Sequence, residues 1–385
     1  MLKKIRLGMI GGGPGSMIGP IHRHAALLDG QYELIGGAFS RDFKKSKGLG
    51  EELGLDVNRV YPSYNEMLVT EKNYPADQRI EVISIVTPND LHFEMAKAAL
   101  LSGFHIIIDK PLTQFVHQAN ELMDIAEKVK KLVCITYVYS GYPMIKEARS
   151  LIRKKKLGKI NKVIIEYTQG WLSSLVEGKR TKNLWRMDPT RSFSGTMADI
   201  GTHAFHLAEY VTGLKVTRIR ADICATIPNR LLEDDGTILL KLDHHVHGLL
   251  IASQAAAGEE NRINLHVYAE QGSLHWQHDD PSSLFIKWQD QPTQILRAGT
   301  NNHYLDPQTL RNCRAPAGHP EGYIEAFANI YRNFVFSIRA IAINSAYAAS
   351  LNDYPKIEDG ARGVAFVETV IAANKSNKKW IALLD

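Results

Sequence analysis

The first third of the chain alternates short apolar runs with amphipathic stretches. The apolar runs are rich in β-branched residues and predict buried strands, whereas the stretches between them carry apolar residues at helical spacing. The predicted strands are residues 5–10, 32–39, a short one at 59–61, 81–87, 104–108 and 132–138. The predicted helices are residues 21–28, 44–53, 65–71, 91–101 and 119–130. This alternation predicts an α/β domain with a doubly wound parallel sheet.

The pattern changes from about Tyr139 onwards. After a predicted helix at 144–156, longer strand candidates follow one another across turns rather than helices, which is typical of an antiparallel sheet. These candidates are residues 162–169, 216–225, 238–242, 247–253, 264–269 and 284–288, and helices at 321–343 and 359–373 close the chain. We therefore predict a first domain over 1–138 and an α+β domain with a large, mostly antiparallel open sheet over 139–385.

Composition limits the class of protein. The chain has 385 residues, 44% hydrophobic and 23% charged, and a net charge of +5. These values are ordinary for a soluble globular protein of two domains, and the modest charge suits anionic ligands without indicating a nucleic-acid partner. No apolar run approaches the roughly 18 residues of a membrane span. Because a predicted strand starts almost at Met1 and the three cysteines are widely separated, we expect a cytoplasmic protein.

A glycine-rich turn joins the first predicted strand to the first predicted helix. Gly11, Gly13 and Gly15 lie in this turn, and Ser16 stands where the third glycine of G-x-G-x-x-G belongs. Unpaired N–H groups at a helix start bind phosphate, and glycine permits its close approach. The turn predicts a pyrophosphate site, with an unliganded turn as the alternative. Gly19 fits the third position only if the turn is about three residues longer than usual.

Other polar residues follow the ends of the later strands. In a parallel sheet these carboxyl ends meet at one edge, where the ligand binds. Ser40 and Arg41 follow the second strand and suit the 2′-phosphate of NADP, whereas the nearby Asp42 suits the ribose of NAD. NAD and NADP therefore both stay open. The remaining candidates at this edge are Thr87, Asn89, Asp109 and Lys110. Lys110 can hydrogen-bond a substrate hydroxyl, although lysines at strand ends are commonly just solvated.

The second domain holds the other candidate chemistry. Helical spacing places Asp199, His203 and His206 on one face, where a carboxylate can orient an imidazole that takes up a proton. A zinc site and a structural histidine pair are the alternatives, and we predict no metal because no second cluster supplies a fourth ligand. Trp185 and Arg186, after a polar loop at 177–183, suit a sugar pocket, with a core tryptophan as the alternative.

Taken together, these motifs resemble the Gfo/Idh/MocA family of oxidoreductases over essentially the whole chain. The family order of a glycine loop, T-P-N-x-x-H, E-K-P and D-x-x-x-H matches residues 11–19, 87–92, 109–111 and 199–203. The resemblance implies an N-terminal Rossmann domain, a homo-oligomer (dimer or tetramer) assembled through the C-terminal sheet, and NAD(P)-dependent oxidation of a carbohydrate or cyclitol. It also implies that Lys110 bonds the reacting oxygen, that His203 is the general acid/base supported by Asp199, and that His92 belongs to the cofactor site.

Three departures from the family pattern bear on specificity. The glycine loop is longer than usual, Asp109 replaces the glutamate of E-K-P, and His206 stands where members often carry aspartate. Two other functions occur among such relatives: hydrolases that oxidise a sugar transiently with bound NAD, and nucleotide sensors without turnover. The presence of Lys110, Asp199 and His203 argues against a sensor, because a sensor needs none of them.

Overall fold

The structure, a computed structural model, describes residues 3–173, 185–343 and 353–384. The chain forms two compact units. The first unit combines Met1–Gly141 with Tyr323–Ala361, and the second combines Tyr142–Gly322 with Arg362–Asp385. Each unit is built on its own sheet. None of the helices within the described ranges is long and apolar enough to cross a membrane.

The first unit contains a five-stranded parallel sheet in the order β2-β1-β3-β4-β5. The strands are β1 (Ile5–Gly11), β2 (Tyr32–Ala38), β3 (Val82–Val86), β4 (His105–Ile108) and β5 (Val133–Ile135). β1 and β3 are buried almost along their whole length, as their continuous apolar runs predict. The strand order reverses between β1 and β3, which is where such folds bind ligands. The predicted doubly wound sheet is confirmed.

Helices connect these strands. They are α1 (Ile18–Leu28), α2 (Phe43–Glu52), α3 (Tyr64–Asn73), α4 (His92–Leu101) and α5 (Val116–Val129). Short polar side chains set two of the starts, because the Asp42 carboxylate accepts the Lys44 N–H at α2 and the Ser63 hydroxyl accepts the Glu66 N–H at α3. The helices predicted from apolar spacing are thus all present, with ends shifted by one to three residues.

The short strand predicted at 59–61 is not a regular strand. Residues Val57–Arg59 form a 3₁₀ turn that the Asp56 side chain caps, so only Val60 pairs, through a single parallel bridge to Gly37. The local cap takes up the backbone groups that a strand would need. Counting this bridge as a vestigial strand gives the Rossmann order 3-2-1-4-5-6.

A long C-terminal helix, α9 (Tyr323–Ala342), belongs to the first unit. Its Tyr331 hydroxyl bonds His22 Nδ1 (2.8 Å) and Ser84 Oγ (2.9 Å), and the Tyr331 backbone carbonyl accepts the Tyr32 hydroxyl at 2.9 Å. The predicted boundary at 138/139 puts α9 in the second domain, whereas α9 belongs to the first of the two compact units. The apolar face of α9 packs on α1, a pairing that chain order cannot reveal.

The second unit contains a nine-stranded sheet in the order β13-β12-β11-β10-β6-β9-β8-β7-β14. Its pairs are antiparallel except β6 with β9, which confirms the mostly antiparallel sheet. The sequence analysis does not predict β11, β13 and β14, because each of them has at most two large apolar residues. The strands are β6 (Ile160–Thr168), β7 (Val216–Cys224), β8 (Asp235–Leu242), β9 (His247–Ser253), β10 (Arg262–Ala269), β11 (Gly272–Gln277), β12 (Ser283–Trp288), β13 (Gln294–Arg297) and β14 (Ile381–Ala382).

The helices of the second unit include the segment that carries the predicted acid/base residues. A π-helical turn, Met197–Gly201, leads directly into α7 (Thr202–Thr212). Phe205 of α7 stacks on Phe366 of the last helix, with ring centroids 4.6 Å apart. The other helices are α6 (Pro143–Arg153), α8 (Pro307–Leu310) and α10 (Ile357–Asn374), of which α10 begins in the first unit.

Candidate active site

The glycine turn after β1 packs closely against its surroundings. A Cβ atom at Gly19 would lie 2.5 Å from the Gly12 carbonyl oxygen, and one at Gly13 would lie 2.6 Å from the Phe39 carbonyl oxygen. Both positions therefore require glycine. Gly11, Gly12 and Gly15 adopt positive φ angles of 83°, 70° and 85°. The tight packing of α1 on the turn matches the role of the third glycine in a dinucleotide-binding turn.

Gly19, rather than Ser16, thus occupies the third glycine position. The Ser16 hydroxyl instead accepts the Gly19 N–H at 3.1 Å, and the Ser16 N–H donates to the Gly13 carbonyl at 3.0 Å. Ser16 therefore folds the extended turn and caps the start of α1, which begins at Ile18. Spacing alone left Gly19 as a conditional candidate because the three extra residues had no visible role in the sequence.

Substituting alanine for Gly19 should lower both stability and dinucleotide affinity. The added methyl group would displace α1 from Gly12, and overpacking of this kind costs about 1–3 kcal/mol of unfolding free energy. Denaturant unfolding and fluorescence titration with NADH measure the two effects. Gly48→Ala is the matched control, because Gly48 lies in α2 with no atom within 4 Å of the added Cβ. Unchanged unfolding and unchanged NADH affinity in Gly19→Ala would contradict this account of the turn.

The residues after β2 are tied into the start of α2. The Asp42 carboxylate accepts the Lys44 N–H at 3.0 Å, and the Asp42 N–H donates to the Ser40 hydroxyl at 3.1 Å. Arg41 is exposed. The carboxylate that suits the ribose of NAD is thus engaged in capping a helix, and the exposed charged group between Ser40 and Asp42 is a guanidinium.

The turn after β3 brings Thr87 beside the glycine turn. A Cβ at Gly11 would lie 2.7 Å from Thr87 Cγ2, and the buried Thr87 hydroxyl has no hydrogen-bond partner among the described residues. An unpaired buried hydroxyl is costly unless a ligand satisfies it. Together with the side-chain-free cradle of the glycine turn, this fits a bound dinucleotide. Asn89 begins the 3₁₀ turn Asn89–Leu91 that follows.

His92 holds two of the predicted cofactor loops together. Its Nδ1 lies 2.8 Å from the Pro111 carbonyl oxygen and its Nε2 lies 3.0 Å from the Thr87 carbonyl oxygen. The ring is completely buried, and this burial lowers the pKa of His92. Both ring nitrogens face backbone carbonyl oxygens, and the neutral ring has one N–H to donate to one of them at a time. We therefore expect His92 to position the two loops, whereas the resemblance implies a place in the cofactor site itself.

Asp109 and Lys110 follow β4 at the same edge of the sheet. Asp109 Oδ1 accepts the Lys110 N–H at 2.9 Å and the Thr136 hydroxyl at 2.8 Å. Burial alone would raise the pKa of Asp109, but His22, Lys110 and the Thr136 hydrogen bond outweigh it and lower the pKa. The shorter carboxylate thus remains ionised and fixes the backbone that carries Lys110.

In the second unit, Asp199 lies in the π-helical turn before α7. Its Oδ1 accepts Arg186 Nε at 3.2 Å, and its Oδ2 accepts Gln254 Nε2 at 2.8 Å. Arg186 lies over the Trp185 ring, 4.5 Å from its centroid. The loop predicted at 177–183 lies outside the described residues. The contacts described for Asp199 therefore join it to a loop and to a strand end.

The two histidines of α7 have different surroundings. His203 is buried, and its ring lies 6.3 Å from the ring of Tyr167 at the end of β6. The His206 ring stacks on the Tyr210 ring, with centroids 5.7 Å apart. Burial is the main cause that lowers the pKa of His206 to about 3. His206 thus stays neutral inside the helical layer. A bearing of His206 on substrate specificity stays a prediction.

A cavity opens beside Asp199. Arg186 and Asp199, both predicted to bind substrate, lie in its wall, whereas neither histidine of α7 is among its described lining residues. Sequence reasoning missed the other polar members because each stands alone in the chain, without a motif. The aromatic, charged and amide side chains of the wall are Trp171, Arg186, Asp199, Arg230, Glu233 and Gln254.

The charged side chains of this wall are bonded to other groups of the protein. Glu233 Oε1 accepts the Ser194 hydroxyl and the Met197 N–H, and Arg230 forms a buried ion pair with Asp234. Within the described ranges, no three His, Cys, Asp or Glu side chains gather as a metal site would require. Protein partners thus already hold these side chains in place, and the surface that the described residues expose in the cavity is mostly apolar.

The glycine turn and the polar residues at the strand ends of the first unit are those of a dinucleotide-binding domain. Residues 5–137 match the family model described as "Oxidoreductase family, NAD-binding Rossmann fold". Residues 145–275 match the model described as "GFO/IDH/MocA C-terminal domain". The chain belongs to the Gfo/Idh/MocA family of oxidoreductases.

Individual relatives agree with this family. An uncharacterized oxidoreductase of Bacillus subtilis, YfiI, is 32% identical over 98% of this chain and 97% of its own. Levoglucosan dehydrogenase of Pseudarthrobacter phenanthrenivorans is 25% identical over 79% of this chain and 80% of its own. An inositol dehydrogenase homolog from Azotobacter vinelandii, solved with NAD⁺, is 33% identical, covers 99% of this chain and 98% of its own, and superposes with a TM-score of 0.94.

Proposed function

We propose that the protein transfers a hydride between a nicotinamide cofactor and a secondary alcohol or ketone of an inositol, a sugar or a sugar derivative. The observation that carries the proposal is the Asp199 carboxylate, which Arg186 and Gln254 hold in the wall of a cavity, in a chain of this family. The Azotobacter vinelandii homolog has also been solved with NADH and myo-inositol, and it covers 99% of this chain at 33% identity. Both observations favour a compact polyol as the substrate.

In this reaction the carbinol carbon loses a hydride and the hydroxyl loses a proton, so that the alcohol becomes a ketone. The bound nicotinamide supplies the hydride chemistry. Lys110 would donate a hydrogen bond to the reacting oxygen, and the His203 imidazole would accept the proton. Asp199, whose two carboxylate oxygens accept protein hydrogen bonds, would also accept one from a substrate hydroxyl. The glycine turn, Ser40, Arg41 and the loops joined by His92 would hold the dinucleotide.

We further propose that the chain forms a homo-oligomer through the large sheet of the second unit. Apolar side chains on this sheet are exposed, with Leu239, Tyr268 and Ile295 at 42%, 40% and 52% exposure. A partner that covers this sheet would remove these side chains from water. A second copy of the chain is the partner that the family resemblance implies.

The reaction is tested by absorbance at the reduced-nicotinamide band. Purified protein with NAD⁺ or NADP⁺ should reduce its cofactor when given a member of a panel of inositols and pyranosides. A preference for NADP⁺ would indicate that the exposed Arg41 binds the 2′-phosphate, and a preference for NAD⁺ would indicate that Asp42 binds the ribose. Silence over the whole panel, with the dinucleotide still bound, would contradict the proposal. Release of a sugar without a net change in absorbance would instead indicate a hydrolase that oxidises its substrate transiently.

A further inference from the structure

Two side-chain amides, from residues that follow β6 and β9, form a hydrogen-bonded series that ends at Asp199. Gln254, which follows β9, donates from Nε2 to Asp199 Oδ2 at 2.8 Å and to Gln169 Oε1 at 3.0 Å. Gln169, which follows β6, donates from its own Nε2 to Asn261 Oδ1 at 2.7 Å. Each amide thus accepts on one side and donates on the other.

Trp171 determines which atom of each amide group donates and which accepts in this hydrogen-bonded series. Trp171 Nε1 donates to Gln169 Oε1 at 3.0 Å, and an indole N–H can only donate. The atom of Gln169 that faces Trp171 must therefore be the oxygen. Because the same oxygen also faces Gln254, Gln254 must present its NH₂ group there. The same NH₂ group then supplies the donor to Asp199.

Gln254 is itself held rigidly. It is 2% exposed, and its Oε1 accepts the Thr196 hydroxyl at 3.0 Å. Its backbone N–H donates to the Asp234 carbonyl at 2.7 Å, and its carbonyl accepts the Leu172 N–H at 2.9 Å. A buried amide with every side fixed keeps its orientation without spending rotamer freedom when a ligand binds.

The hydrogen-bonded series of side chains ends at Tyr167, which lies beside His203, the other acid/base candidate. The Tyr167 hydroxyl donates to Asn261 Oδ1 at 2.8 Å, the same oxygen that accepts Gln169. The Tyr167 ring lies 6.3 Å from the ring of His203. One hydrogen-bonded chain thus extends from the carboxylate of Asp199 to the tyrosine that packs against His203.

We propose that Gln254 is a positioning residue for Asp199. Gln254 donates to one carboxylate oxygen and Arg186 donates to the other, and these two bonds together fix the orientation in which Asp199 meets a substrate hydroxyl. This inference rests on the proposed oxidation of a polyol. It adds a residue that stands outside the D-x-x-x-H motif and is recognised only through its contacts.

Gln254→Leu tests the proposal directly. The variant keeps the volume and the backbone bonds but removes the donor to a charged group, so we expect kcat/KM for the polyol to fall about 10- to 100-fold, with unchanged NADH affinity. Gln254→Asn, which retains the amide on a shorter stem, should retain more activity than Gln254→Leu. A kcat/KM equal to that of the wild type in correctly folded Gln254→Leu would overturn the proposal.

Gln254→Glu supplies a readout that a merely structural role would not give. A protonated carboxyl at this position can donate to Asp199, whereas an ionised one repels it. The ratio of variant to wild-type kcat/KM should therefore fall as pH rises. Gln78→Glu, at an exposed position of the first unit, is the matched control and should give a pH-independent ratio. A flat ratio for Gln254→Glu would count against positioning through a donated hydrogen bond.

Crystal structures of the wild type and Gln254→Leu separate this inference from the proposed function. In the variant the Asp199 carboxylate should rotate away from its wild-type position, whether or not any polyol is oxidised. An unmoved carboxylate would overturn the inference, even with an active enzyme. A moved carboxylate in a protein that oxidises no polyol would sustain the positioning role and refute the function.

Discussion

Lys110→Ala should lower kcat by about 10²- to 10⁴-fold while leaving NADH affinity nearly unchanged. The reason is that the ammonium group would stabilise the reacting oxygen as it loses its proton, and removal of such a group typically costs this much. The backbone of Lys110 is fixed by the Asp109 carboxylate, which should keep the loop in place in the variant. Steady-state kinetics and fluorescence titration with NADH measure the two quantities.

Two further variants sharpen this comparison. Lys110→Met keeps the length of the side chain without its charge and should be as impaired as Lys110→Ala. Lys128→Ala, on the exposed last turn of α5, should behave as the wild type. Turnover of Lys110→Ala at the wild-type rate would refute the assignment of this lysine. Loss of NADH binding in Lys110→Ala would instead place the side chain in the cofactor site alone.

His203→Asn should lower kcat by about 10²- to 10⁴-fold and remove one ionisation from the pH dependence of kcat/KM. The imidazole would accept the hydroxyl proton, so wild-type activity should fall as the pH drops, because a protonated imidazole cannot accept it. Asparagine cannot take up a proton, so the acid limb of the profile that belongs to this group should disappear. Rates of polyol oxidation over a pH series measure the change.

Two other histidines provide the controls for this prediction. His206→Asn alters a buried, neutral ring in the same helix, so it should lower thermal stability without removing an ionisation from the profile. His245→Asn lies at an exposed position with a φ of 62°, which asparagine tolerates, and should leave both properties unchanged. If His203→Asn kept the wild-type acid limb, another group would be the proton acceptor.

Much of the fold follows from local patterns in the sequence. Apolar runs that are buried on both faces, such as β1 and β3, define parallel strands, and short polar caps such as Asp42 and Ser63 define where helices start. The motifs that carry the family resemblance also lie at strand ends or at one helical turn. Each of these features depends on residues within a few positions of one another, so their chemistry is readable without coordinates.

Other features depended on which distant segments meet. Gly19 could be recognised as the third glycine only when its contact with Gly12 showed how Ser16 folds the longer turn. His203 and His206 share a helix, and the packing of that helix buries both of them, outside the described lining of the cavity beside Asp199. Helical spacing predicted that these histidines share a face, but it could not say which part of that face borders a cavity.

The sequence by itself therefore determined the class of protein: a parallel nucleotide-binding sheet, a second antiparallel sheet and the order of the family motifs. Only the tertiary structure decided that α9 completes the first unit through Tyr331, and that Gln254 and Gln169 hold Asp199. The physical reason is the distance along the chain between the residues that interact. Periodicity, caps and glycine turns are local, whereas hydrogen bonds such as that between Gln254 and Asp199 join residues far apart in the chain, where no repeating pattern marks the partners.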